Sequence, residues 1–298
     1  MNVEKLCRKY AEHYSLKQVT TEQMLYHWDS ERRLRRELLA ATPENRWQVF
    51  DEGYSRHYRE LTWLQAGADA AAAKSNWQEW LDLIGEKPKK VFEIGSGRGA
   101  LIKALAAAGH DCTATEITRE RGERWVEDQS VRWHTTDGVH LDHFEPAGSY
   151  DVVISNQVIE HMHPDDLQTH FQSVYAILRP GGFYILATPH CYTGPCDVSS
   201  VFGSSTCEGQ HLKEYTYREL SEIAKSAGFG KVAASLRFPH AIRRSSQSFK
   251  AETSRAYQTY LETVETLIQV VPVAFRRTVT RIARLIYFRP TIYVAAYK

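Results

Sequence analysis

The stretch Val91-Phe92-Glu93-Ile94-Gly95-Ser96-Gly97-Arg98-Gly99 restricts this chain more than any other. A short apolar run, the mark of a buried strand, ends in three alternate glycines and passes straight into the helical pattern Ala100 to Ala108. Strand, tight glycine loop and helix start together make a nucleotide site. Glycine lets the backbone approach a ligand closely, and the first-turn N–H groups of the helix face whatever polar group sits there. Glu116 ends the next apolar run, Cys112-Thr113-Ala114-Thr115-Glu116, where a carboxylate can accept both hydroxyls of a ribose.

A nicotinamide cofactor and S-adenosylmethionine both suit that arrangement, and the flanks separate them. Glu93 stands two residues before the first glycine, where its carboxylate faces a positively charged amino-acid end better than a pyrophosphate, which it would repel. No tyrosine has a lysine four positions later, the pair usual in short-chain dehydrogenases. The form Glu-x-Gly-x-Gly-x-Gly resembles the first motif of class I S-adenosylmethionine-dependent methyltransferases.

At 298 residues with a formal net charge of +1, the chain can bury a large core, and nothing global points to a specific nucleic-acid partner. The five cysteines (Cys7, Cys112, Cys191, Cys196, Cys207) are scattered, without C-x-x-C pairing, which argues for a reducing compartment. With no apolar leader and no run long enough for a membrane span, a cytoplasmic protein is expected.

Residues 1–85 read as a helical extension, with helices Val3 to Tyr14 and Thr21 to Ala41, and a start at Thr42-Pro43-Glu44-Asn45. Trp47, Phe50, Tyr54, Tyr58, Leu61, Trp63 and Leu64 follow at helical spacing, as core or as substrate contacts. The Ala-rich run 66–74 continues as helix. From Lys90, strand and helix patterns alternate, the signature of a doubly wound, mostly parallel α/β sheet. A helix is expected over Thr118 to Asp128 and another over Pro164 to Leu178, ending at Arg179-Pro180-Gly181-Gly182, with strands at 131–136, 150–155, 183–188, 231–237 and 291–298. The methyltransferase domain therefore covers 86–237, a helical insertion 238–290, and a final strand 291–298.

Here the resemblance becomes specific. The series Glu93 to Gly99, Glu116, Thr136-Asp137-Gly138, Tyr150 to Val153, Leu178 to Gly182 and Ala187-Thr188-Pro189 is similar to the class I domain in order and spacing. It implies a Rossmann-like sheet of seven strands with the last antiparallel. It also implies a donor pocket of Glu93, Gly95, Ser96, Gly97, Gly99, Glu116, Ile117, Asp137, Gly138, Asn156 and Gln157, with Asp137 near the adenine amino group.

Gln157-Val158-Ile159-Glu160-His161-Met162 resembles the segment E-V-I-E-H of ubiquinone-pathway and small-RNA terminal O-methyltransferases. In those families carboxylates and histidines hold a divalent cation. Here Glu160 and His161 match, His211 stands where the downstream histidine would be, and Gln157 replaces the first acid, which weakens a magnesium site. His161 as a metal-free general base, a cation on Glu160, His161 and His211, and a purely structural histidine all stay open. His190 and Tyr192 are the next candidates.

The loop from His190 to His211 invites a zinc reading, but its spacings match no common module, and an acceptor-binding role suits its length better. In the insertion, Val279, Ile282, Leu285 and Ile286 share one helical face, with Arg276, Arg277, Arg281, Arg284 and Arg289 nearby. A packed helix, a lid over an anionic acceptor, or a peripheral membrane contact through 275–289 are the alternatives. O-methylation of a small molecule, sugar or lipid-linked acceptor is expected, with N-methylation and a catalytically silent donor-binding subunit as rivals.

Overall fold

In the computed structural model, which describes residues 3–65, 67, 77–122, 131–237 and 250–298, the glycine strand is an inner strand of a sheet. It is β1 (Lys90–Ile94), and the others are β2 (Asp111–Glu116), β3 (Val131–Thr135), β4 (Tyr150–Asn156), β5 (Leu178–Pro189), β6 (Lys231–Leu236), β7 (Glu252–Ser254) and β8 (Thr291–Tyr297). Their order is β3-β2-β1-β4-β5-β8-β6-β7. The pairs β1–β2, β1–β4, β2–β3 and β4–β5 are parallel. β8 runs antiparallel between β5 and β6, as expected of the last strand.

The sheet has eight strands where seven were expected. The extra one, β7, is a three-residue edge strand within the insertion that pairs antiparallel with β6. β5 also starts earlier than Phe183, because Leu178 pairs with Tyr150 across an irregularity in the ladder.

Strand order reverses between β1 and β4, so the C-terminal ends of these two strands bound a crevice suited to a ligand. Val91, Val152, Ile154, Ile185 and Ala187 bury one sheet face against Leu101, Ile102 and Leu105 of the helix that follows the glycine loop. Trp80 and Ile84, from helix Gln78–Ile84, join the same core.

By packing, the chain divides into two units, and the sheet belongs to the one formed from 76–159, 165–193 and 215–298. The other unit combines the described part of Met1–Ser75 with Glu160–Pro164 and Gly194–Glu214. Its longer helices are Val3–His13, Thr21–Ala40 and Arg46–Glu60, and a short one covers Ser199–Phe202. Thr20 caps the second through a reciprocal pair with Gln23. The third begins at Arg46 and not at Pro43, because the Asn45 side chain turns back to accept from the Thr42 N–H at 2.9 Å and closes a turn first. Leu6, Tyr10, Met24, Val198 and Val201 form an apolar core in this unit.

After Glu116 the helix is seen at Arg119–Gly122, and the remainder of that expected helix lies outside the described residues, as does most of 66–74. Residues 164–166 form a 3-10 turn ahead of helix Leu167–Ile177. The described part of the insertion begins at 250 and contains helices Arg255–Gln269 and Val273–Ala283.

Candidate functional site

The loop after β1 turns on backbone that only glycine adopts readily. Gly95, Gly97 and Gly99 have φ of 64°, 55° and 68°. A Cβ on Gly95 would also meet Val158 Cγ2 at 2.6 Å. Ser96 N–H donates to Thr115 O at 2.8 Å and Gly97 N–H to Glu116 Oε1 at 2.8 Å, so the loop is stitched to the end of β2. Ile117 N–H donates to Glu116 Oε2 at 3.0 Å.

Glu93 and Glu116 are both buried here. Desolvation, with the Glu116 charge adding to it, pushes the Glu93 carboxyl up to about 8. Desolvation raises Glu116 to about 7 against its two backbone hydrogen bonds. Glu93 Oε2 and Ser96 Oγ are buried without a hydrogen-bond partner. Two dehydrated acids at the end of neighbouring strands form a site that lacks positive charge. S-adenosylmethionine, with its ammonium and sulfonium, has the charge that such a site accepts.

Asp137 closes its own turn. Its Oδ1 accepts from Val139 N–H at 2.8 Å and His140 N–H at 2.9 Å, and Oδ2 faces His140 Nδ1 at 2.6 Å. Gly138 has φ of 71°, and its carbonyl accepts from His170 Nδ1 at 2.6 Å. His170 is buried, and desolvation lowers its pKa to about 4. Its neutral Nε2 therefore accepts from Tyr184 Oη at 2.9 Å, and Tyr184 in turn meets Ser155 Oγ at 2.6 Å. This buried chain, which sequence reasoning did not find, ties the Gly138 turn to β4 and β5.

At the end of β4, Asn156 pairs with Ala187. Gln157 follows in left-handed backbone, φ 58°, with its N–H donating to Ala187 O at 2.8 Å. A side chain held in that conformation signals a constraint beyond local preference.

The second cluster lies within the N-terminal unit. Glu160, His161 and His211 each offer a ligand atom within 4.8 Å of the others. His161 Nδ1 donates to Gln210 O at 3.2 Å, and His211 Nδ1 faces Glu214 Oε1 at 2.8 Å. The two rings meet edge to face with centroids 4.9 Å apart, and Tyr54 lies edge-on to His161 at 6.3 Å. Burial alone would lower the His211 pKa, but the hydrogen bond to Glu214 and the charges of Glu160 and Asp197 raise it above its ordinary value. Among the N-terminal apolar residues, Phe50, Tyr54 and Leu61 are buried while Trp47 is exposed.

Further residues were not singled out from sequence. His27 Nε2 meets Glu31 Oε1 at 2.7 Å, and Tyr10 Oη lies 2.8 Å from His27 Nδ1. Burial would raise the Glu31 pKa, but His27, His57 and the Gln210 N–H hold it at about 2. The i,i+4 spacing of His27 and Glu31 was the available signal. Asp197, Cys207 and His211 also converge within 4.8 Å, although desolvation and the carboxylates of Glu214 and Asp197 raise the Cys207 thiol, opposing the thiolate that zinc needs.

His190 is buried, with Nε2 at 2.6 Å from Glu265 Oε1 and Nδ1 accepting from Tyr192 N–H at 3.0 Å. Both nitrogens are engaged, which leaves it poorly placed as a base. Tyr192 is half-buried beneath the Arg276 guanidinium, 5.7 Å from the ring centroid.

The family model described as "Methyltransferase domain" matches residues 56–234. A protein of Mycolicibacterium smegmatis named "Probable S-adenosylmethionine-dependent methyltransferase" is 29% identical over 144 residues, 47% of this chain and 52% of that one. A ubiquinone biosynthesis O-methyltransferase of Psychrobacter arcticus is 26% identical over 57% of this chain and 69% of its own. Another, of Haemophilus ducreyi, is 33% identical over 34% and 45%. The chain thus spans about half the length of the first and third of these relatives. Among solved structures, a SAM-dependent methyltransferase from Archaeoglobus fulgidus superposes with TM-score 0.50 at 16% identity, covering 77% of this chain and 94% of that one. The 1,6-didemethyltoxoflavin-N1-methyltransferase of Burkholderia thailandensis, solved with S-adenosylhomocysteine, gives 0.50 at 17%, covering 87% and 91%. At these identities the likeness is one of fold.

Proposed function

This chain belongs to the class I S-adenosylmethionine-dependent methyltransferases, and on that premise we propose that it methylates a hydroxyl oxygen, with His161 taking the proton. S-adenosylmethionine, its cofactor, supplies the methyl carbon on a sulfonium. In the donor site, Glu93 and Glu116 supply the negative charge that a cationic donor needs. The segment bearing Glu160 and His161 follows in the chain directly on Asn156 and Gln157.

An acceptor hydroxyl attacks the methyl carbon, the C–S bond breaks, and the acceptor's proton must leave. With Nδ1 committed to Gln210 O, a neutral His161 carries its lone pair on Nε2 and can take that proton there. His211, held towards its charged form by Glu214, Glu160 and Asp197, fixes the geometry around it. The observation that carries this reading is the convergence of Glu160, His161 and His211 from distant parts of the chain. The O-methyltransferase names of the ubiquinone-pathway relatives support oxygen over nitrogen. The acceptor class is a small molecule, a sugar or a lipid-linked hydroxyl.

One arrangement favours a second reading. Both histidines direct Nδ1 at an oxygen, the support usually given to metal-bound histidines whose Nε2 faces the ion. Glu160, His161 and His211 would hold a divalent cation that lowers the pKa of an acceptor hydroxyl, and one carboxylate with two histidines suits manganese, iron or zinc better than magnesium.

Transfer of a labelled methyl group to a panel of hydroxyl and amine acceptors, with the linkage read by mass spectrometry, tests the proposal. The expected product is an O-methyl ether. His161→Ala should lower kcat about 10²–10⁴-fold with donor affinity retained and with chelator inert. Loss of activity to chelator and its return with Mn²⁺ would favour the cation instead. An N-methyl product, or full activity of His161→Ala without metal dependence, would overturn the proposal.

A further inference from the structure

We propose that the outer face of residues 267–287 is a membrane-docking surface for bilayers that carry anionic headgroups. This surface lies in the sheet-bearing unit and does not depend on the identity of the methyl acceptor.

The helix Val273–Ala283 presents its faces in reverse. Thr280 is fully buried and Ala283 is 7% exposed, while Ile282 is 60% exposed and, in the turn that follows, Leu285 is 83% exposed. Leu267, Val270, Val273, Phe275, Ile286 and Tyr287 are exposed as well. Eight of the fourteen exposed large apolar residues among the described residues therefore fall within these twenty-one positions. Scattered single exposures are ordinary on a protein surface, but a run of this density marks an interaction face.

The face is held in place. Arg276 Nε and Nη2 donate to Val271 O at 2.9 Å and Gln269 O at 2.7 Å, closing the end of helix Arg255–Gln269. Tyr257 Oη donates to Tyr287 O at 2.5 Å, and Tyr260 Oη donates to Ile286 O. The turn bearing Leu285, Ile286 and Tyr287 is thus pinned from behind, so its outward apolar side chains belong to a built surface.

Charge identifies the occupant. Arg277, Arg281 and Arg284 are exposed on this segment, and the chain has no acidic residue from 266 to its end at 298. Aliphatic and aromatic side chains among arginines whose long stems carry the charge outward fit the headgroup boundary of an anionic bilayer. A second copy of the same face would bring the same cations against each other across a twofold axis.

Flotation with vesicles of phosphatidylcholine alone and of phosphatidylcholine mixed with phosphatidylglycerol tests this, alongside sedimentation of the free protein. The protein should float with the mixed vesicles at low salt and much less with the neutral ones. Joint replacement Arg277→Gln, Arg281→Gln and Arg284→Gln should weaken binding about 10²-fold, since each cation near such a surface is worth about a fivefold factor. Phe275→Ser with Ile282→Ser and Leu285→Ser should abolish it. All six positions are exposed, and retained calorimetric binding of S-adenosylhomocysteine would show that the variants are folded. Absence of flotation with the mixed vesicles, equal binding by the variants, or a dimer of the parent that the apolar variant dissolves would each overturn the proposal.

Discussion

Glu93 and Glu116 carry an electrostatic cost that the polypeptide itself does not repay. Their carboxyls, raised to about 8 and about 7, prefer to stay protonated in the folded protein without donor. Each folded value lies above the ordinary 4.5, so the favourable term is complete below about pH 4.5 and is lost as pH rises through 7 and 8. Without donor, the melting temperature should fall over that window by an amount worth a few kcal/mol, and Glu93→Gln should flatten the fall. A melting temperature that rises with pH, or a variant with the parent's profile, would contradict the assignment. Much of this site could be read from the sequence, since three alternate glycines after an apolar run, with acids before and after, serve few other purposes. What could not be read is that the two acids share one dry environment, which depends on the register of β1 against β2. The buried pair His27–Glu31 escaped for a similar reason, because helical spacing shows two residues on one face without showing what covers them.

At the scale of elements, the Gly138 turn owes its position to a hydrogen-bonded chain running Ser155, Tyr184, His170, Gly138 across β4, β5 and helix Leu167–Ile177. Ser173 Oγ adds a bond to Val139 O at 2.5 Å. Tyr184→Phe leaves the buried His170 Nε2 without its donor, and should cost about 1–3 kcal/mol of stability. Donor affinity should weaken severalfold in the same variant because the turn loosens. Denaturant titration and calorimetry read the two effects, and unchanged values in both would remove the tether from the account. The alternating strands and helices were legible because each carries a strong period. β7 was not, since Glu252-Thr253-Ser254 is short and polar and is a strand only because β6 offers it an edge. The exposed face of Val273–Ala283 was legible as amphipathic, but its direction was not, because a pattern of period 3.6 does not say which stripe faces inwards.

For the molecule as a whole, the residues of the proposed donor site fall within one stretch, 93–157, although the sheet that carries them is assembled from 76–159, 165–193 and 215–298, whereas the histidine–carboxylate cluster is gathered from residues 27–57, 160–161 and 197–214. The first kind of site leaves a motif. The second leaves Glu160, His161 and His211 visible through resemblance, with Glu31, Asp197 and Glu214 emerging from the fold. The central proposal is that the glycine loop and its two dehydrated acids receive a cationic methyl donor. Calorimetric titration with S-adenosylmethionine from pH 6 to 8, repeated in buffers of different ionisation enthalpy, measures that claim directly. Because Glu93 is protonated below about 8 and the donor favours its charged form, binding should release protons near pH 7. Affinity should rise by up to about tenfold per pH unit from pH 6, levelling near 8 where an α-amino group itself titrates. Glu93→Gln should bind more weakly, without that proton release. Donor affinity that is independent of pH in the parent and unchanged in Glu93→Gln would contradict the claim.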